Sequence, residues 1–89
     1  MQNLKLAVCA VYDKKAEEYQ QPFVVPNKAT AVRDFIRACK DEKSNLHQFA
    51  SDYRLEQLAE FYPHSGAFEG VPQKTVLCEA ENVVVKNEQ

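Results

Sequence analysis

One stretch of this 89-residue chain repeats its apolar residues at helical spacing directly behind a helix-starting residue, and it lies between runs that alternate as strands do. Val32, Phe35, Ile36 and Cys39 form that stripe. Asn27, just ahead of it, can accept the free backbone donors near Ala29 and Thr30, as helix N-cap residues do. The helix should end near Lys40 to Lys43, where Asp41-Glu42-Lys43-Ser44-Asn45 breaks the pattern. A single helix can cover only one face of a sheet, so the other face should be hidden by a second copy of the chain or by a ligand.

The strands are read from alternation and turn chemistry. Leu4, Leu6, Val8, Ala10 and Tyr12 alternate with Lys5, Ala7, Cys9 and Val11, and the second set is also largely apolar. A polar connection, Asp13 to Glu18, leads to a second strand, Tyr19 to Val25. Pro22 inside it lacks a backbone donor, which places it at an edge or a bulge. Tyr53 to Tyr62 fits both helical and strand spacing. The turn-forming Pro63-His64-Ser65-Gly66 and the alternating run Thr75 to Ala80 behind it favour a hairpin. The expected fold is therefore α+β: a small antiparallel sheet of about four strands, in the chain order β-β-α-β-β, with one helix on one face. One domain over residues 1–82 and a C-terminal tail over 83–89 are expected.

That arrangement leaves an apolar sheet face expected to hold Ala7, Cys9, Val11, Val24, Leu58, Tyr62 and Leu77. A homodimer with Cys9, Val11, Leu58, Tyr62 and Leu77 in the contact is the expectation. A domain this small buries only about 60–65% of its unfolded surface, which makes self-association more valuable to it.

Composition narrows the function classes. The net charge of −2 argues against coating nucleic acid through bulk charge. From Asn27 to Ser44, however, five basic residues (Lys28, Arg33, Arg37, Lys40, Lys43) stand against three acidic ones. Arg33, Arg37 and Lys40 recur at helical spacing along one flank of the helix and, with Lys43, can follow a phosphate backbone. Tyr53 is the ring expected to stack on an unpaired base. Against this stands the plainer reading of a solvated charged flank and core aromatics.

Catalytic signals are weak. His47, His64 and the three cysteines are too far apart in sequence for a zinc motif, so neither a metal nor a cofactor is expected. Cys9, Cys39 and Cys78 are an odd number and read as buried reduced thiols. Two glycines, Gly66 and Gly70, make no phosphate-cradling loop. The N-terminus has no leader-like pattern and no apolar run long enough for a bilayer, so no membrane partner is expected. The chain is expected to bind, not to catalyse.

Several short motifs in a fixed order carry a resemblance. They are Asp13-Lys14-Lys15-Ala16, Gln21-Pro22-Phe23, Pro26-Asn27, Ala31-Val32-Arg33-Asp34-Phe35, Asp52-Tyr53-Arg54-Leu55, Glu60-Phe61 and Ser65-Gly66. Together, over residues 4 to 80, they resemble the small non-structural protein of gokushoviruses, single-stranded DNA phages of the Microviridae. The chain has Leu58-Ala59 where many relatives have Ile-Gly, and Phe61-Tyr62 where they commonly have Phe-Asp, so no local role is carried over there. The resemblance implies a phage protein of the host bacterial cytoplasm, absent from the mature virion. It also implies a DNA-binding protein that assists genome replication, with single-stranded DNA as partner. The alternative expectation is an interaction module that docks on a viral replication or assembly protein or on a host factor.

Overall fold

A computed structural model describes residues 4–84. The chain runs β1 (Leu6–Asp13), β2 (Glu18–Tyr19), β3 (Phe23–Val25), α1 (Lys28–Cys39), α2 (Asn45–Gln48), a 3₁₀ turn (Ala50–Asp52), β4 (Tyr53–Tyr62), β5 (Ala67–Glu79) and α3 (Ala80–Val83). The fold is α+β, with one open antiparallel sheet.

β1 and β4 are its centre. β5 forms one edge beside β4, and β2 and β3 share the other edge beside β1. The expected second strand is thus split in two. Its ends pair with β1 through Tyr12↔Tyr19 and Cys9↔Phe23, and Gln20 to Pro22 separates them. Pro22 has no N–H to give the ladder, and it sits at an edge. The turn before β2 is held by Asp13, whose side chain accepts the backbone N–H groups of Lys15 (3.0 Å) and Ala16 (3.1 Å).

β4 occupies Tyr53–Tyr62, as the hairpin argument predicts. β5 is far longer than the expected Thr75–Ala80, because it starts directly after the turn at Gly66. Its register with β4 jumps from Gln57↔Thr75 to Ala59↔Gly70 and slips again between Leu55↔Cys78 and Glu56↔Val76. Gly70 and Pro72 spoil the alternation there, and so hid the strand from its own sequence.

α1 starts where Asn27 caps it: the Asn27 side chain accepts the Thr30 N–H at 2.8 Å. It ends at Lys40. Ala31, Phe35 and Cys39 are buried, with Val32 packed beside them against the sheet. Full burial of a side chain such as Phe35 stabilises by about 2–3 kcal/mol. Two four-residue helices and the 3₁₀ turn were not expected. Ser44 starts α2 by accepting the His47 N–H at 3.1 Å while its own hydroxyl donates to Ala38 O at 2.9 Å. α2 and α3 border α1, and Ala50 and Ala80 join the same core.

That core corrects the expected face assignment. Ala7, Cys9 and Val11 lie beneath the helix, together with Tyr53 and Leu55. Leu77 also packs on this core. The alternate set of β1, namely Leu6, Val8, Ala10 and Tyr12, faces away. Both sets are apolar, so alternation alone could not say which one the helix would choose. Val83 and Val84, expected to belong to a tail, pack against the core as well. The rest of that tail lies outside the described residues.

Candidate functional site

The basic row lies on the outer side of α1. A helix advances about 100° per residue, which sets Arg33, Arg37 and Lys40 each roughly opposite Phe35. All three are exposed, as is Lys43 just beyond the helix. Arg37 makes a loose contact with Asp34 at 3.6 Å, with 73% of its own side chain exposed. A pair so open to water is worth at most about 1 kcal/mol, so the guanidinium remains available. Among the described residues Arg33, Lys40 and Lys43 form no ion pair. Lys28, at the N-terminal end of α1, is exposed but lies on the sheet side of the helix near Leu6 and Glu60, outside the row.

Tyr53 does not join them. It is 8% exposed and belongs to the core on the sheet side of α1, and burial raises its phenol above the ordinary range. A ring held there cannot stack on a base, which corrects the expectation placed on it. The five residues expected in a dimer contact are dispersed too. Cys9 has no exposed surface, and Val11 and Leu77 are packed against the core. Leu58 is the unpaired residue of a bulge, skipped by both neighbouring strands. Tyr62 is half-buried at the end of β4, and its hydroxyl donates to Glu60 Oε1 at 3.1 Å.

The sheet face opposite the helices holds a different group of residues. Register places Tyr12, Tyr19, Arg54 and Glu79 on one rung, and Ala10, Glu56 and Val76 on the next. The Glu56 carboxylate is almost wholly buried although no helix covers it: the residue is 2% exposed. It accepts from the Tyr19 hydroxyl at 2.8 Å and from Arg54 Nε at 2.7 Å. The Arg54 guanidinium in turn lies 4.9 Å above the Tyr12 ring, and the two tyrosine rings are 4.7 Å apart. Glu56 is the main reason that the Arg54 guanidinium holds its proton more tightly than usual. For the Tyr19 phenol, raised above its ordinary value, burial comes first and the Glu56 hydrogen bond second. Lys14 pairs with Glu79 at 3.0 Å beside them. The alternation Arg54-Leu55-Glu56 was a usable signal for this group, since residues two apart on a strand share a face.

At the far end of the same face Leu6, Phe61 and Phe68 share a rung, and the two phenylalanine rings lie 4.7 Å apart. Phe68 is 64% exposed, Val24 46% and Val76 43%.

The cysteines are all free thiols. Burial pushes Cys39 up to about 11, with a smaller contribution from Cys78, and it raises Cys9 and Cys78 too. Thiols shifted this way hold their protons at neutral pH and are poor nucleophiles. His47 is occupied structurally, its Nδ1 donating to the Cys39 carbonyl at 3.0 Å. Among the described residues no three His, Cys, Asp or Glu side chains cluster as metal ligands would, and no helix is long and apolar enough to cross a membrane.

Compared with known families, residues 6–83 match the family described as Phage ORF5 protein. A search of curated proteins and a search of solved structures each give no match.

Proposed function

We propose that this chain, which belongs to the Phage ORF5 protein family, is a non-enzymatic protein that assists phage genome replication by contacting single-stranded DNA through the outer side of α1. The observation that supports this reading is the exposed row Arg33, Arg37 and Lys40, with Lys43 beyond it, on the side of α1 turned away from the core. Guanidinium and ammonium groups in that setting bind phosphates with little regard to base. The motif order that resembles the gokushovirus non-structural proteins supports the same reading, and with it a place in the host cytoplasm outside the mature particle. The DNA contact assigned here is to the backbone, because Tyr53 is withdrawn into the core.

A fluorescence-anisotropy titration with labelled oligothymidylate across a salt series tests this. Binding should weaken steeply with salt. Arg33→Ala combined with Arg37→Ala should lower the slope of log K against log salt by about 1.4, or about 0.7 for each lost phosphate contact. No binding at low salt, or an unchanged slope in the double variant, would refute the assignment.

A second reading is favoured by a specific observation, the exposed Val24, Val76 and Phe68 on the uncovered sheet face. In it the chain docks on a viral replication or assembly protein or on a host factor.

A further inference from the structure

We propose that the uncovered sheet face receives a second copy of this chain, the two sheets packing face to face. The centre of that face is small and apolar: Val8 and Ala10 are buried among their neighbours, while Val24 and Val76 beside them stand more than 40% exposed. Isolated apolar side chains at a surface are ordinary, but these share adjoining rungs of one sheet.

The charges on the face decide which occupant fits. Those around Glu56 are already matched inside the chain, Arg54 by Glu56 and Lys14 by Glu79. These two cations and two anions cancel. Lys74, exposed two residues before Val76 on the same side of β5, stands outside those pairs, and one cation gives a polyanion far less to bind than the row on α1. A neutral apolar partner can cover the face without leaving any of these charges alone. The face itself is such a surface, and a two-fold axis brings two identical patches together. Two sheets with the same twist pack in the aligned manner of β-sandwiches.

Size and shape agree. Four strand widths and the ten residues of β4 give roughly 600 Å² of sheet plane, near the ~800 Å² per partner of a standard interface. The chain alone is elongated, with extents of 52 × 26 × 20 Å. Its radius of gyration of 14.2 Å compares with about 12 Å for a compact chain of this length. Face-to-face pairing would bury the surface that this shape leaves open.

The resulting dimer has four layers, with helices outside and sheets within. Its two α1 helices lie about 30 Å apart and present their outer sides in opposite directions. If the DNA reading above is right, one dimer can hold two segments of strand at once. The dimer itself does not depend on that reading.

Sedimentation velocity on the full chain between 1 and 100 µM tests the proposal. The wild type should sediment at about twice its monomer mass of 10.2 kDa. Val76→Asp and Val24→Asp should each give a monomer whose far-UV circular dichroism matches the wild type. Both positions are exposed, so the single chain tolerates the change, and each variant checks the other should one misfold. Ala29→Asp, on the exposed side of α1, should leave the dimer intact. A wild-type monomer at 100 µM would overturn the proposal. So would a dimer that survives both valine substitutions. A monomeric wild type whose oligonucleotide binding is lost in Val76→Asp would also overturn it, and would assign the face to nucleic acid.

Discussion

Glu56 is the residue that most needs its neighbours. A carboxylate 2% exposed loses its hydration, and here the Tyr19 hydroxyl and Arg54 Nε replace it. Arg54→Ala removes the charged donor and leaves the carboxylate with one neutral partner. The expected cost is on the order of 2 kcal/mol, measured as a fall in the urea midpoint. Glu56→Gln keeps the shape and an acceptor for Tyr19, so it should cost less. A double-mutant cycle should then return a coupling of the same sign, and zero coupling would mean that the pair is incidental. The thiols make a second residue-scale prediction. Iodoacetamide at pH 8 should modify Cys78, which is half-buried, well before Cys9 or Cys39, and those two should react fully only in denaturant. Rapid modification of Cys39 in the folded chain would contradict its placement in the core. Tyr53 shows what residue type alone cannot supply. An aromatic after a turn suits a stacking platform and a core equally well, and only the position of α1 decides between them.

The elements fold where short-range chemistry is unambiguous. Asn27 caps α1 through a side-chain bond visible in the sequence, and Asn27→Ala should cost about 1 kcal/mol in thermal or urea unfolding. Gly66 has a φ of +79° in the β4–β5 turn, with open space where a Cβ would be. Gly66→Ala should therefore cost about 1 kcal/mol through backbone strain alone, with no steric penalty added. β4 was legible because a strong turn follows it. β5 was half legible, since the Gly70–Lys74 stretch departs from alternation. α2 and α3 are single turns whose stability comes from packing on α1, a long-range cause that a window of sequence does not contain. The face of β1 was misread for a related reason. Both of its sides are apolar, so the choice rests on which side α1 reaches.

At the scale of the whole molecule, the two surfaces differ in chemistry. The outer side of α1 carries cations with little or no internal pairing, whereas the uncovered sheet face carries apolar side chains and, around Glu56, charges that are paired internally. Both an exposed basic row and an uncovered apolar face were legible in the sequence. The exposure of the row was legible residue by residue; of the residues expected on the open face, Val24 lies there, whereas Ala7, Cys9, Val11 and Leu77 turn to the core, because a row on one helix is local while a sheet face is assembled from four segments. Added salt should therefore separate contacts made through the two surfaces. It screens phosphate contacts and leaves an apolar dimer contact nearly unchanged.

Backbone amide shifts in a two-dimensional NMR titration with oligothymidylate test the proposed DNA contact most directly. Changes are expected at Arg33, Arg37, Lys40 and Lys43, with Tyr19, Val24 and Val76 undisturbed. Changes centred on those three sheet residues, with the outer side of α1 silent, would contradict it.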